Sequence, residues 1–237
     1  GVSYATNLWL GIYSKAPRDG QGHIEFDELA KDSLGIKRLA VMRADVDNLG
    51  KLFSQGFEKE TGGNRYLYDS LSRKAVLSRQ LSLFFKNHIN RLCRERAKRS
   101  WTGNESSQTR SLVIVYSGGD DIFVVGAWNE VIDFAIDLYH SFQKYTCSRL
   151  TFSAGIALFH SGFPISQMAA VTGELESAAK DNSDKNSVAL FGLDHSVLDL
   201  VSEKSRKARH LYRWDDFISG VLGDKYRLLK QSLDLEG

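Results

Sequence analysis

Residues 116–123, YSGGDDIF, place two glycines before two aspartates, between the apolar runs LVIV (112–115) and IFVV (122–125). Two short apolar runs joined this tightly predict a β-hairpin. Adjacent carboxylates repel each other, so such a pair ordinarily persists because a cation or a cationic ligand joins them. The turn is therefore the first candidate for a functional site.

The composition is that of an ordinary globular protein and leaves several function classes open. With 237 residues the chain can bury one full domain and part of another. A net charge of +2 neither marks a nucleic-acid-binding domain nor excludes a local basic surface. No apolar run is long enough to cross a membrane, and the first residues, GVSYATNLWLG, lack the form of a signal peptide.

The two cysteines, Cys93 and Cys147, fit neither a disulfide framework nor a paired zinc motif. This usage predicts a reducing, cytoplasmic environment. The sequence begins without methionine, which suggests a piece excised from a longer protein.

The segments around the hairpin complete an order of elements that is typical of one fold. RLAVMRADVDNLGKLF (38–53) runs from an apolar strand into a helix, and apolar residues spaced by three and four predict a long helix between residues 67 and 92. After the hairpin come a helix (129–145), a strand (149–160), a helix (164–181) and a short strand (186–192). Strand, helix, strand, strand, helix, strand is the order of a ferredoxin-like palm, an antiparallel sheet with helices on one face.

These elements divide the chain into three parts. A lead-in segment (1–37) precedes an α+β palm domain (38–192). The remaining residues (193–237) are charged and helical in pattern, and they predict the beginning of a C-terminal helical domain.

In this topology the first strand lies antiparallel to the second strand of the hairpin. The end of the first strand, which carries Asp45, then meets the beginning of the other, which carries Asp120 and Asp121. Carboxylate oxygens select hard cations such as Mg²⁺ or Mn²⁺. Two such ions about 3.5–4 Å apart would activate an attacking hydroxyl and stabilise a leaving pyrophosphate.

A Gly-Gly-Asp-Asp sequence also suits an ordinary hairpin turn, where aspartate and glycine are favoured without any function. A third carboxylate at the matching strand end, Asp45, makes the functional interpretation the stronger one. Gly118 and Gly119 would then remove side chains where a nucleotide must approach the backbone closely.

Five stretches of the sequence, in order, resemble the second palm (cyclase) domain of the large subunit of type III CRISPR effector complexes, Csm subtype. The resemblance runs from Arg38 to Gly192 and is carried by RADVDNLGKLF, LSRQLSLFF, YSGGDDIFVVGAW, TFSAGIALFHSGFPI and ELESAAKDNSDKNSVALF. It implies an RNA-guided antiviral complex whose large subunit, once target RNA is bound, converts ATP into cyclic oligoadenylates through 3′–5′ links.

The resemblance also implies roles for individual residues. The residues implied to hold the metal ions are Asp45, Asp120 and Asp121, the last two also being catalytic. The residues implied to line the nucleotide pocket are Ser117, Gly118 and Gly119. Lys185 falls in the family's Lys-Asn pair ahead of the last strand and would contact the triphosphate.

Lys180 and Lys185 are the candidate phosphate-binding cations on either side of DNSD (181–184). Each could pair with a phosphate as a point charge. Lysine is also favoured at a solvated helix end by the helix dipole, so a structural role is the alternative for both. The basic run RLCRERAKRS (91–100) is interpreted as a solvated helix end in preference to a nucleic-acid contact.

Parts of the resembling subunit have no counterpart in this sequence. No His-Asp dipeptide occurs, so we expect the family's DNA-cutting nuclease domain to be missing, together with the first palm and the cysteine-rich zinc element. In the family two ATP molecules lie between two palms, so this chain would supply half of the site. The implied partners are the first palm of the same subunit, the other subunits of the complex, guide RNA and target RNA, with no membrane.

Two other functions stay open at this point. A dinucleotide cyclase of the bacterial second-messenger type, such as a diguanylate cyclase, shares the palm and a related turn. There the turn usually continues with an acidic residue and then phenylalanine, whereas Ile122 follows Asp121 here. A non-catalytic palm that serves as a scaffold in a ribonucleoprotein would have no need to hold three carboxylates together.

Overall fold

A computed structural model describes residues 10–18, 20, 22–56, 69–95, 101, 109–191 and 210–234. The first nine residues, the end of the basic run and the start of the C-terminal part lie outside the described residues. Within the described ranges no helix is long and apolar enough to cross a membrane.

The described elements follow the predicted order, with additions at both ends. The strands are β1 (Leu39–Val46), β2 (Leu112–Ser117), β3 (Asp121–Ala127), β4 (Phe152–Phe159), β5 (Ser187–Leu190) and β6 (Leu211–Arg213). The α-helices are α1 (Phe26–Lys31), α2 (Leu49–Gln55), α3 (Leu71–Leu83), α4 (Ile89–Arg94), α5 (Trp128–Tyr145), α6 (Ile165–Lys180) and α7 (Arg227–Asp234). The π-helical segments Phe84–His88 and Asp216–Tyr226 directly precede α4 and α7.

The strands form one sheet in the order β2-β3-β1-β4-β5-β6. Its first four strands are antiparallel neighbours, and with the helices that follow β1 and β3 they make the predicted ferredoxin-like palm. β5 pairs with β4 in parallel, so the sheet is mixed and not wholly antiparallel as expected. A register shift between Ile114 and Tyr116 leaves Val115 as an extra residue in β2, close to the turn.

Helices cover both faces of the sheet, which corrects the expectation of helices on one face. Alternate residues of β1 belong to different cores. Ala40 and Met42 pack in the core that contains α5 and the helix of residues 71–94, whereas Leu39 and Val41 pack in the core that contains α1 and α6. The continuous apolar run of β1 is the sequence signal of a strand buried on both faces.

α6 packs directly on β4 at Gly155. A Cβ atom at Gly155 would lie 2.5 Å from the backbone N of Glu176 and 2.5 Å from the backbone O of Thr172. Only glycine allows the helix backbone to come this close to the strand. The contact fixes α6, and with it the residues at the C-terminal end of the helix, relative to the sheet.

The helix predicted between residues 67 and 92 packs against the core over its second half. Leu81, Phe84 and Phe85 are buried, whereas Leu71 is 84% exposed. Residues 67 and 68 lie outside the described residues; from residue 71 onward the apolar spacing predicted the helix correctly but did not reveal which of its turns are buried.

β6 lies in the part of the chain that was assigned to a C-terminal helical domain. It pairs antiparallel with β5, and Trp214, directly after it, is fully buried in the palm core. Nε1 of Trp214 donates to the backbone O of Phe152 over 3.0 Å. Residues 211–214 therefore pair with and pack on the palm sheet, while the described residues from Asp216 onward are helical. The domain boundary itself stays a prediction.

Candidate functional site

Asp45 and Asp121 are paired across neighbouring strands. Asp45, the last residue but one of β1, is the register partner of Asp121, the first residue of β3. The backbone N of Val46 donates to the backbone O of Asp120 over 3.1 Å. The three aspartates therefore lie at one end of the sheet, where the sequence predicted the strand ends to meet.

The carboxylates of Asp45 and Asp121 are close enough to affect the charge of Asp120. Partial burial, and then the negative charges of Asp45 and Asp121, raise the pKa of Asp120, while Lys180 offsets part of this effect. Like charges gathered in this way favour the binding of a cation, because a cation removes their repulsion.

Two of these carboxylates also contact a side chain outside the group. Nζ of Lys180 forms an ion pair with Asp45. The hydroxyl of Tyr116 hydrogen-bonds to Asp121, whose negative charge raises the pKa of the tyrosine. Within the described residues, no three acidic, histidine or cysteine side chains have the geometry of a metal site as they stand. The donor set nevertheless fits Mg²⁺ or Mn²⁺, because it consists of carboxylate oxygens.

The two glycines of the turn differ in their surroundings. A Cβ atom at Gly118 would lie 2.4 Å from Oη of Tyr116 and 2.5 Å from Oδ1 of Asp121, so a side chain here would require these two side-chain ends to move. At Gly119 the nearest atom would be Oγ of Ser82, at 3.6 Å. Among the described residues, side-chain contacts therefore favour glycine at 118, whereas no comparable contact favours it at 119, which leaves space there.

The side chain of Ser117 is used in a contact between β2 and the helix of residues 71–94. Its Oγ donates to the backbone O of Phe85, which is buried in the π-helical segment. A role for Ser117 in nucleotide binding stays a prediction, and it would rest on the backbone of this residue because the hydroxyl already has a partner.

Lys180, the last residue of α6, lies between two carboxylates. Its Nζ forms ion pairs with Asp45 and with Glu176, the latter at 3.1 Å. Burial alone would lower the pKa of Lys180, but the hydrogen bonds to the two carboxylates outweigh burial and raise the pKa. The fold therefore brings this lysine to the predicted metal-binding group.

Lys185 lies on a loop of unusual backbone conformation between α6 and β5. Lys185 and Asn186 have φ angles of 52° and 47°, in the left-handed region that residues other than glycine seldom adopt. The backbone N of Lys185 donates to the backbone O of Asn182 over 2.9 Å, and Oγ of Ser187 donates to the backbone O of Lys185 over 2.5 Å. These hydrogen bonds thus fix the backbone of the loop. No described residue forms an ion pair with the Lys185 ammonium.

Asp47 joins this loop to the end of β1. Asp47 is 3% exposed, and its Oδ2 accepts hydrogen bonds from the backbone N of Asn186 over 3.0 Å and from Oγ1 of Thr151 over 2.7 Å. This aspartate supports the loop that carries Lys185.

The sequence interpretation missed the contacts of Glu176, Asp47 and Tyr116. Glu176 had a local signal, because it precedes Lys180 by four residues on a predicted helix, the spacing of an intrahelical ion pair. No local signal identified the partners of Asp47 and Tyr116, since both contacts depend on how the chain folds around the turn.

Residues 38–189 match the family model of Cas10/Cmr2, second palm domain. The chain is 41% identical over 227 residues to a Mycobacterium tuberculosis protein named CRISPR system single-strand-specific deoxyribonuclease Cas10/Csm1 (subtype III-A). The matched region covers 96% of this chain and 25% of that relative, so the chain spans a quarter of the relative's length.

Two solved structures are similar in fold. The crystal structure of a Csm1-Csm4 cassette in complex with one ATP has a TM-score of 0.71 and 31% identity, over 89% of this chain and 27% of that one. A Csm1-Csm4 cassette in complex with cA4 has a TM-score of 0.70 and 29% identity, over 89% of this chain and 28% of that one.

Proposed function

The chain belongs to the family of Cas10/Cmr2 second palm domains, and we propose that it is the palm of a metal-dependent nucleotidyltransferase that converts ATP into cyclic oligoadenylates. The complex that contains it is, in this proposal, an RNA-guided type III antiviral effector. The ATP and cA4 named with two structural neighbours support this choice of substrate and product.

The observation that carries the proposal is the register of Asp45 opposite Asp121. Together with burial, these two carboxylates raise the pKa of Asp120, so both repel its charged form. A palm that served only as a scaffold would gain nothing from this repulsion. The arrangement is useful when a cation binds there.

We assign Asp45, Asp120 and Asp121 to two divalent cations, Mg²⁺ or Mn²⁺. Bound cations would lower the pKa of the attacking 3′-hydroxyl and stabilise the charge on the leaving pyrophosphate. The carboxylates would hold this centre at the end of the sheet. Gly119, whose added Cβ atom would meet only Oγ of Ser82 among the described residues, would leave room there for the nucleotide.

Lys180 and Lys185 supply positive charge for the triphosphate. An ammonium group binds phosphate as a point charge. Lys185 suits this role because its loop is fixed by hydrogen bonds while its side chain has no ion pair among the described residues. Lys180 suits it because its ammonium already lies at Asp45. Both would offset negative charge on the pyrophosphate as its bond to the α-phosphorus breaks.

The other half of the site comes, in this proposal, from a first palm of the same subunit. Each new bond requires the 3′-hydroxyl of one ATP in line with the α-phosphate of another, and such positioning supplies about 7–11 kcal/mol in favourable cases. The chain has a single Gly-Gly-Asp-Asp turn. Alone it is expected to bind ATP with a metal but to turn it over slowly or not at all, unless a homodimer replaces the palm pair.

The further partners that we propose are Csm4, named with both structural neighbours, guide RNA and target RNA. We assign no deoxyribonuclease step to this chain, because the His-Asp dipeptide that the resemblance associates with that activity does not occur in its sequence. The location that we propose is the cytoplasm, where the unpaired cysteines would stay reduced.

Calorimetric titration of the chain with ATP and with GTP, each with Mn²⁺, separates this function from the alternatives. Tighter binding of ATP is expected, with weak selectivity in the isolated chain and stronger selectivity in the whole subunit. Tighter binding of GTP would favour a diguanylate cyclase, and no binding of either nucleotide would favour a scaffold.

Incubation of the assembled complex with ATP, Mg²⁺ and target RNA tests the reaction itself. Mass spectrometry should find cyclic 3′–5′ oligoadenylates. Gel filtration beside the same assay on the chain alone tests the two-palm arrangement. Abundant cyclic product from a strict monomer would contradict it.

A further inference from the structure

The ammonium of Lys180 is shared between a proposed metal-binding carboxylate and a second acid. It forms ion pairs with Asp45 and, at 3.1 Å, with Glu176. The side chains of Lys180 and Asp45 are 27% and 25% exposed, so a cation from solution can reach the pair. The ammonium therefore occupies a position on Asp45 that a divalent cation would need.

Glu176 offers the ammonium an alternative position. Its side chain is only 10% exposed, and its Oε2 accepts a hydrogen bond from Nε of Arg43 over 2.8 Å while Oε1 lies near Lys180. Arg43 compensates the charge of Glu176 whether or not Lys180 is bound. The acid is therefore never left as an unpaired, largely buried charge, which would be costly.

The backbone holds these groups at fixed positions. Glu176 and Lys180 lie one turn apart on α6, and the close contact at Gly155 prevents this helix from approaching the sheet further. Arg43 and Asp45 lie two residues apart on the same face of β1. Transfer of the ammonium from Asp45 to Glu176 requires rotation of the lysine side chain and no movement of the helix.

We propose that Lys180 and a divalent cation compete for Asp45, and that Glu176 holds the ammonium when the cation takes the carboxylate. This rests on the function proposed above, because it assigns Asp45 to the cation. In the metal-free protein Lys180 neutralises Asp45 and so limits its repulsion of the neighbouring aspartates. A cation that arrives alone must displace the ammonium, whereas a cation that arrives with a triphosphate brings the ammonium a new anionic partner. Metal and nucleotide binding are thereby coupled.

Two substitutions should change metal affinity in opposite directions. Lys180→Met removes the competitor and should raise the affinity for Mn²⁺ alone by about fivefold, the scale of a partly exposed ion pair that no longer has to be broken. Glu176→Gln removes the alternative position of the ammonium and should lower the affinity by a similar factor. A purely structural role of these residues would lower the affinity in both variants.

The measurement is a titration of the 237-residue chain with Mn²⁺ in the absence of nucleotide, with free Mn²⁺ followed by electron paramagnetic resonance. Circular dichroism confirms that each variant is folded. Lys185→Met is the matched control, because it removes the same charge from the neighbouring loop without breaking an ion pair between described residues. If Lys180→Met raised the affinity for Mn²⁺ no more than Lys185→Met did, the proposed competition would be overturned. Unchanged affinity for Mn²⁺ in Glu176→Gln would overturn the role of Glu176.

Asp45→Asn distinguishes failure of this inference from failure of the proposed function. Weaker Mn²⁺ binding in Asp45→Asn, together with tighter Mn²⁺ binding in Lys180→Met, supports both the metal assignment and the competition. Weaker binding in Asp45→Asn without that gain would overturn the competition alone. Unchanged binding in Asp45→Asn, or no binding by the unsubstituted chain, would overturn the metal assignment and the competition with it.

Discussion

The backbone N–H of Asn186 donates to Oδ2 of Asp47 over 3.0 Å and so joins the loop of Lys185 to the end of β1. On its other side the loop is held by the segment after β6, because the backbone N of Trp214 donates to the backbone O of Asn186 over 3.0 Å. The left-handed backbone at residues 185 and 186 costs free energy that such contacts must offset. The position of Lys185 therefore depends both on Asp47 and on the segment after β6.

Asp47→Ala should lower the free energy of unfolding by about 2–3 kcal/mol, because it leaves the hydroxyl of Thr151 and the N–H of Asn186 without their acceptor. Urea denaturation measures the change. Asp184→Ala is the matched control, since Asp184 is 66% exposed and pairs with Arg213 at the surface, where ion pairs contribute about 1 kcal/mol or less. Equal losses in the two variants would contradict the supporting role of Asp47.

Tyr139→Phe should weaken ATP binding in the presence of Mn²⁺ while leaving the binding of Mn²⁺ alone unchanged. Oη of Tyr139 donates to Oδ1 of Asp215 over 3.0 Å and hydrogen-bonds to the side chain of Asn186. The substitution keeps the ring stacked on Trp214, so stability should fall by only about 1 kcal/mol. Calorimetry measures both bindings.

Tyr145→Phe provides the comparison for that experiment. The Tyr145 hydroxyl donates to the backbone O of Gln80 over 3.0 Å, a contact with α3 and not with the loop of Lys185. If Tyr145→Phe weakened ATP binding as much as Tyr139→Phe did, the loop contact would not be the cause.

Asp120→Asn combined with Asp121→Asn should abolish ATP polymerisation by the assembled complex and leave the fold intact. The pKa of Asp120 is raised in the folded protein, so its favourable contribution to stability is present at low pH and is lost as the pH rises through that pKa. The double variant should lose this pH dependence and, without metal, be at least as stable as the unsubstituted protein at neutral pH. Mass spectrometry of the products and thermal melting test these outcomes; product at the unsubstituted rate would show that the site is wrongly assigned.

Cys93 should resist thiol reagents in the native protein, while Cys147 should react. Cys93 is buried, and burial raises the pKa of its thiol from 9.0 to about 12, whereas Cys147 is exposed. Because the reactive species is the thiolate, a colorimetric assay at about pH 8 should detect one reactive thiol in the native chain and both in denaturant. The same shift means that the contribution of Cys93 to stability is lost as the pH rises from 9.0 towards 12. Rapid reaction of both native thiols would contradict the burial of Cys93.

Gly155→Ala should destabilise the protein by about 1–3 kcal/mol or more, because the added methyl group would meet backbone atoms of α6 that cannot move aside. Urea denaturation measures the loss. At Gly162 an added Cβ atom would meet only the side chain of His160, at 3.6 Å, so Gly162→Ala should have little effect. A neutral Gly155→Ala would mean that α6 is not held against β4 as described.

The hairpin and its acidic turn could be predicted from the sequence because their signals are local. Two apolar runs around Gly118 and Gly119 are sufficient to indicate the turn. The apolar run of β1 indicates a buried strand, and the topology then brings Asp45 to the turn. The match of residues 38–189 to the second palm family agrees with that part of the prediction.

The face on which α6 packs could not be predicted in the same way. Its apolar spacing indicated a helix, but the face depends on the direction in which the chain crosses from β4 to its parallel neighbour β5. That direction depends on which edge of the sheet is free to pair with β5, and this is known only once the sheet is assembled. The expectation of helices on one face was wrong for this reason.

Periodicity and turn chemistry act over a few residues, so local patterns were sufficient to predict the palm, the position of its acidic turn and the strand ends whose carboxylates meet there. The contact of Lys180 with Asp45, and the position of the Lys185 loop between Asp47 and Trp214, depend on how the whole chain folds. These contacts join residues far apart in the chain, and they form because α6 packs closely on β4 and β6 pairs with β5.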